Sequence, residues 1–465
     1  MKRHAFLILI AVPSLLVGAF ARVQVPAPFE VSAKEEFTKS HTKKCEEKCF
    51  EASIDFPRDL SLGDLYQPWS GIDYKTESER YMQAVLAYVV EGNAEVDWKV
   101  QNNAVRKWYH APWMHDAREP LHGLTSERGN RWHELSSTQE RKTRNWAVGF
   151  YNPAGGKTMG DVWRDPTAPD AKKAIFPTGT VSAKLLFTDA TDHEAPFLAK
   201  GANLEWIADI ENNGKGVRLR LLQVDIAIKE KPTPQHNGWV FGTFMFDGSR
   251  DKEQYWENLV PVGLQWGNDP KWTYTSYIVN QPSGMPAEGW VNPAVSTRFV
   301  NRPPDGKLGY LGRMNGPVDN PMSSCLSCHS RAMDTAGGLA PAFTPSNDAY
   351  CISPTTMFPG QGERPTELFR RISNCTINEV AMESYFRNLK EDEPFWVGYE
   401  SLDYSLQLAL GIATWHDWFK KKYPDEHKRR FPVQRSTTPR LFMRGTLRES
   451  TAPTAPATEA FRRGD

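Results

Sequence analysis

The chain has 465 residues, and its 56 Lys+Arg are matched by 56 Asp+Glu, a formal net charge of zero. That balance excludes nucleic acid or an anionic membrane surface as the main partner. Mean hydropathy is −0.56, and past residue 21 no apolar run is long enough to span a bilayer, so no transmembrane segment is expected in the mature chain.

Residues 1–21 have the build of a secretory signal peptide. Lys2, Arg3 and His4 form a basic start, Ala5 to Phe20 is an almost unbroken apolar run, and Ala19-Phe20-Ala21 gives a small-x-small cleavage pattern. Export is therefore expected, to the periplasm, with an uncleaved anchor as the alternative. Residues 22–144 read as a lead-in with one helix, Thr76 to Gly92, where Tyr81, Val85, Tyr88 and Val89 recur at helical spacing. Thr76 is its expected cap and Gly92 its stop. Val105 to His133 concentrates Trp and His among prolines without clear periodicity, and reads as an ordered loop. Residues 145–300 turn to β character. Thr180 to Asp189, Val217 to Glu230, Gly238 to Asp247 and Trp272 to Val279 are rich in β-branched and aromatic residues between Gly, Pro, Asn and Asp clusters. No helical crossovers separate them, so the expected fold is α+β: a central antiparallel sheet or sandwich with flanking helices. Residues 301–434 bring a loop-rich segment and two expected helices, Pro365 to Glu391 and Ser401 to Tyr423. The tail, 435–465, carries Thr-Ala-Pro-Thr-Ala-Pro and is expected to be disordered.

The chemistry lies in Cys325-Leu326-Ser327-Cys328-His329. Two thiols three positions apart, followed at once by an imidazole, form the C-x-x-C-H attachment pattern of a c-type haem. Each thiol adds across one porphyrin vinyl group, and the next residue brings an imidazole nitrogen to the iron. One covalent haem is therefore expected, with Cys325 and Cys328 as anchors and His329 as the proximal iron ligand. The other ring nitrogen of His329 should donate to a carbonyl. The alternative is a disulfide or half a metal site, but no second C-x-x-C or H-x-x-x-H completes a zinc site. Cys45, Cys49, Cys351 and Cys375 are left over; in an oxidising compartment they suggest two disulfides with three possible connectivities, and the helical look of Cys45–Cys49 makes crossed pairing with Cys351 and Cys375 the expected one.

The segment from Cys325 through Pro341 resembles the attachment site of c-type cytochromes. In class I members a proline about a dozen residues past the His supplies the carbonyl that braces it, and Pro341 stands at such a distance. The resemblance also implies a distal Met, for which Met314, Met333, Met357 and Met382 are the candidates. The layout is also similar to cytochrome P460 and its cytochrome c′-β relatives, where a sheet-rich body precedes the motif. The stretch of this chain that carries that likeness is Phe176-Pro177-Thr178-Gly179-Thr180-Val181-Ser182-Ala183-Lys184. That likeness implies a five-coordinate haem binding small nitrogen oxides or oxidising hydroxylamine. It also makes Lys184 the residue to test for a porphyrin cross-link; the ordinary reading of Lys184 is a solvated strand residue.

His110, His115 and His122 are candidates for a sixth ligand or base, although each is as readily a packed or surface histidine. Trp415-His416-Asp417-Trp418 reads as a face of an amphipathic helix. Ala154-Gly155-Gly156-Lys157-Thr158 is no phosphate loop, because Tyr151 stands where the first Gly is needed. His133-Glu134 and His193-Glu194 lack the second His of a zinc protease motif. The expected function is an exported monohaem cytochrome passing electrons to a redox partner protein. The rival is a haem oxidoreductase or gas-binding protein with an open sixth position, and a third reading is a binding module with a vestigial haem. The sequence leaves open whether the chain is an enzyme.

Overall fold

A computed structural model of the chain describes residues 28–38, 49–114, 117–273, 276, 286–294, 308–321, 323–334 and 379–431. Its centre is a nine-stranded antiparallel sheet. The strands are β1 (Tyr109–His110), β2 (Thr125–Asn130), β3 (Thr143–Tyr151), β4 (Val181–Thr188), β5 (Glu205–Ala208), β6 (Val217–Lys229), β7 (Trp239–Phe246), β8 (Leu259–Gln265) and β9 (Gly289–Val291). They run in the order β1-β3-β4-β6-β7-β8-β9, with β2 beside β3 and β5 beside β6. A two-stranded ribbon joins β10 (Met333–Asp334) to β11 (Glu400–Ser401). The helices are α1 (Pro28–Thr38), α2 (Ser78–Val90), α3 (Pro153–Val162), α4 (Cys325–His329), α5 (Glu379–Tyr385), α6 (Leu406–Lys422) and α7 (Pro424–Arg430). The α+β expectation holds. Among the described residues no helix is long and apolar enough to cross a membrane.

The pleat gives the sheet two faces with different tasks. On the first, register aligns Val148, Leu185, Val224 and Phe244. These pack with Tyr81, Val85, Leu86 and Val89 of α2 into one apolar core. Each such side chain contributes about 1.5–3 kcal/mol on burial, which is what fixes α2 there. Gly92 follows α2 with φ 75°, and a Cβ there would stand 2.2 Å from Asn103 Oδ1. The second face aligns Gly149, Lys184, Asp225 and Thr243, and beside them Tyr151, Ser182, Ala227, Phe241 and Gln265. It is covered by α4, α6 and the turn before α6, which share a second core with Tyr151 and Phe241. At Gly149 the Gln407 side chain of α6 packs close over the strand; a Cβ there would stand 2.5 Å from its Nε2 and push that side chain aside.

Several expected elements move. The Trp/His-rich segment is not all loop, since β1 and β2 lie within it and bond to β3. Thr76 does not cap α2; Glu77 holds the cap position without a side-chain bond. Trp272 stands in a turn, its N–H donating to Asp269 O at 2.9 Å, and most of the strand expected to follow it lies outside the described residues. Of the helix expected over 365–391, the described part is α5. The last long helix begins at Leu406, not Ser401, because the Ser405 hydroxyl caps it by accepting from Leu408 N. Cys49 is disulfide-bonded, while Cys45, Cys351 and Cys375 lie outside the described residues, as do the signal segment and the tail.

Candidate functional site

Cys325, Cys328 and His329 sit on α4, a helix of five residues. Such a helix is too short to persist by itself, so its surroundings must hold it. Ser324 and Ser327 form a capping box: Ser324 Oγ accepts from Ser327 N at 3.2 Å, and Ser324 N donates to Ser327 Oγ at 2.8 Å. Leu326 N donates to Gln265 Oε1 of β8 at 2.9 Å, and Ser324 Oγ donates to Asn268 Oδ1 at 3.0 Å. Both thiols are free and half-buried.

His329 has the geometry of an oriented ligand. Its Nδ1 lies 2.9 Å from the carbonyl oxygen of Tyr404. A carbonyl only accepts, so Nδ1 carries the proton and Nε2 keeps its lone pair. The ring packs 4.3 Å from that of Phe241. Burial lowers His329 to about 4, against the opposing pull of the Tyr404 carbonyl, so the imidazole is neutral at physiological pH. Burial also pushes the thiols up, Cys325 well above its usual value and Cys328 to about 12, with Asp319 adding to both. The site thus offers two protonated thiols and one aimed imidazole lone pair.

Among the described residues the brace is Tyr404; Pro341, the expected one, lies outside them. Tyr404 is delivered by a turn in which Asp403 and Tyr404 both take positive φ, 43° and 65°. Two successive non-glycine residues there are strained, and the surroundings must hold them. Asp403 is anchored by Lys229 Nζ at 2.8 and 3.0 Å, by Trp239 Nε1 at 2.9 Å and by Phe176 N at 2.9 Å. Lys229 is fully buried and Asp403 nearly so.

Lys184 is a half-buried strand residue and is paired rather than freely solvated. Its Nζ pairs with Asp225 at 3.0 Å, and Asp225 also accepts from Thr243 Oγ1 and Gln223 Nε2 at 2.9 and 2.7 Å. Burial opposes the Lys184 charge, but Asp225, with Glu127 and Asp319, raises the lysine above its ordinary value and keeps it an ammonium. Its charge reaches both Cys328 and His329.

The other candidates are engaged elsewhere. His110 is buried on β1 and accepts from Ser53 N at 3.0 Å. His122 stacks on Trp206 at 4.5 Å, and His115 lies outside the described residues. Met333 Sδ accepts from Trp396 N at 3.2 Å, Met314 packs beside Gly263, and Met382 is buried in the second core. Met357 lies outside the described residues. Trp415 and His416 are buried on α6, and His416 Nδ1 lies 3.3 Å from His427 Nε2. Among the described residues no group of three or more His, Cys, Asp or Glu forms a metal cluster. Sequence reasoning missed Tyr404, Phe241, Gln265 and the Lys229–Asp403 pair; apart from the Ser-x-x-Ser cap, no local pattern marks them. No protein-family model, curated protein or solved structure matches the chain.

Proposed function

We propose that the protein is an exported c-type cytochrome that holds one covalent haem and passes single electrons to a redox partner protein. The observation that carries this reading is the pairing of two free thiols with His329, whose Nδ1 is committed to Tyr404 O at 2.9 Å. These residues fit the group: Cys325 and Cys328 to anchor it, and Nε2 of His329 to ligate iron. When bound, a haem supplies a one-electron iron couple whose potential follows ligation and burial. The chain's own part is to fix the imidazole through Tyr404 and to pack it against Phe241.

A second reading is favoured by a specific observation. Each His or Met candidate among the described residues is buried in packing or bonded elsewhere, which supports an open sixth position and a haem oxidoreductase or gas-binding role. The ammonium state of Lys184 counts against a cross-linked lysine, because an amine needs a free lone pair to attack. The purified protein should exceed its processed chain mass by one haem, and Cys325→Ala should abolish covalent retention. Haem still covalently attached in that variant would refute the attachment site. A low-spin reduced spectrum indifferent to CO is the expected result for an electron carrier; a high-spin, CO-binding one replaces it with the second reading.

A further inference from the structure

We propose that Arg331, two residues past His329, seats a carboxylate or oxyanion that no described residue supplies. Arg331 is 6% exposed. Its Nε is buried with no acceptor, and its guanidinium makes no hydrogen bond or ion pair to a described residue. What surrounds it is aromatic: the guanidinium carbon lies 4.1 Å from the Phe395 ring centre and 4.6 Å from that of Trp396. Cation–π contact offsets only part of the cost of removing a charge from water.

The other buried arginines show how this fold treats such a charge. Arg118 donates to Gly123 O and Ala111 O, each at 2.7 Å. Arg220 pairs with Asp192 at 2.5 Å and reaches two carbonyls. Arg313 donates to four carbonyls between 2.7 and 3.1 Å. Arg118 Nε likewise lacks an acceptor, but Arg331 alone among them has no described acceptor for any guanidinium nitrogen. A second cation stands beside it, since Arg387 lies 4.0 Å from the same Phe395 ring. Arg387 donates to Ser384 and to Phe395 O but forms no ion pair with a described carboxylate. Glu393 acts on Arg387 without a direct ion pair, so two guanidinium groups face one ring in an aromatic wall next to α4, and among the described residues Arg331 has no carboxylate partner. A planar fork of N–H donors is the usual partner of a carboxylate or oxyanion.

Two sources share that chemistry. One is a propionate of the haem, and this source rests on the function proposed above; the other is a free oxyanion such as sulfate. The full-length protein is compared with Arg331→Met, which keeps apolar contact with the rings, and Arg331→Lys, which keeps the charge. If the source is a free oxyanion, sulfate titrated at constant ionic strength binds the wild type saturably. It should bind Arg331→Lys more weakly and Arg331→Met about tenfold or more weakly. If the source is a propionate, sulfate does not bind. Removing the cation then raises the propionate's own pKa, so the haem midpoint potential of Arg331→Met becomes pH-dependent where wild type and Arg331→Lys are flat. A protein carrying no haem would defeat the proposed function while the sulfate titration still decides Arg331. Neither sulfate binding nor a charge-dependent change in the potential's pH profile would overturn the proposal.

Discussion

At the scale of single residues, the site depends on a pair far from it in sequence. Lys229 is the last residue of β6, and Asp403 lies 174 positions further on. A buried ion pair is weak evidence for stability when both partners are present, but removing one partner is costly because the other is left charged. Asp403→Asn should therefore destabilise the fold by about 3 kcal/mol in chemical denaturation, since Glu391, 3.3 Å from Lys229, is a more exposed substitute. Lys229→Met combined with Asp403→Asn should be less damaged than Asp403→Asn alone. A double variant worse than the single would remove the pair as the turn's anchor. The Cys-x-x-Cys-His pattern behind the proposed attachment site was legible because it lies in five adjacent residues. Tyr404 was not, because it acts through a backbone carbonyl that any residue owns. Asp403 was not, because its three partners come from strands and loops at distant points in the chain.

At the scale of elements, the strands that sequence reasoning placed are those rich in β-branched and aromatic residues between turn clusters: β4, β6 and β7 fall within a residue or two of expectation. β8 escaped because its sequence, Leu-Val-Pro-Val-Gly-Leu-Gln, carries a proline. The sheet accepts Pro261 at a register shift between Thr243 and Phe244 of β7. β2, Thr-Ser-Glu-Arg-Gly-Asn, escaped because a polar strand beside β3 has no alternation to read. α4 was legible as a motif but not as a helix, and its Ser324 cap is the test. Ser324→Ala removes the acceptor for Ser327 N and the hydroxyl bonded to Asn268, and should cost about 1 kcal/mol. Ser324→Thr should keep most of that. Equal unfolding midpoints for Ser324→Ala and wild type would mean that Gln265 and the second core hold α4 unaided.

At the scale of the molecule, the sheet divides the labour: one face builds an apolar core with α2, and the other carries the site beneath α6 and the Asp403–Tyr404 turn. The second face tolerates Lys184, Asp225 and Lys229 only because each is paired, and burial keeps histidines neutral on both sides of the sheet. His416, on α6, is lowered to about 4 by burial and by its neighbour His427. Its folded value lies below the ordinary 6.5, so the unfolded chain binds more protons between those limits. The contribution is therefore complete above about pH 6.5, declines as the pH falls, and is exhausted near pH 4. By linkage it amounts to at most about 3 kcal/mol. Unfolding free energies measured in urea from pH 7 to pH 4 should fall more steeply for wild type than for His416→Leu, with the curves converging only across that window. Parallel curves would show that the acid loss comes from other groups. His110 belongs to the same class: burial, and then the Arg118 charge, hold it well below its usual value, and protonating Nδ1 would displace the Ser53 N–H it accepts. The two histidines lie on separate cores, so their contributions should add, and a His416→Leu variant should retain the part of the acid loss that His110 supplies.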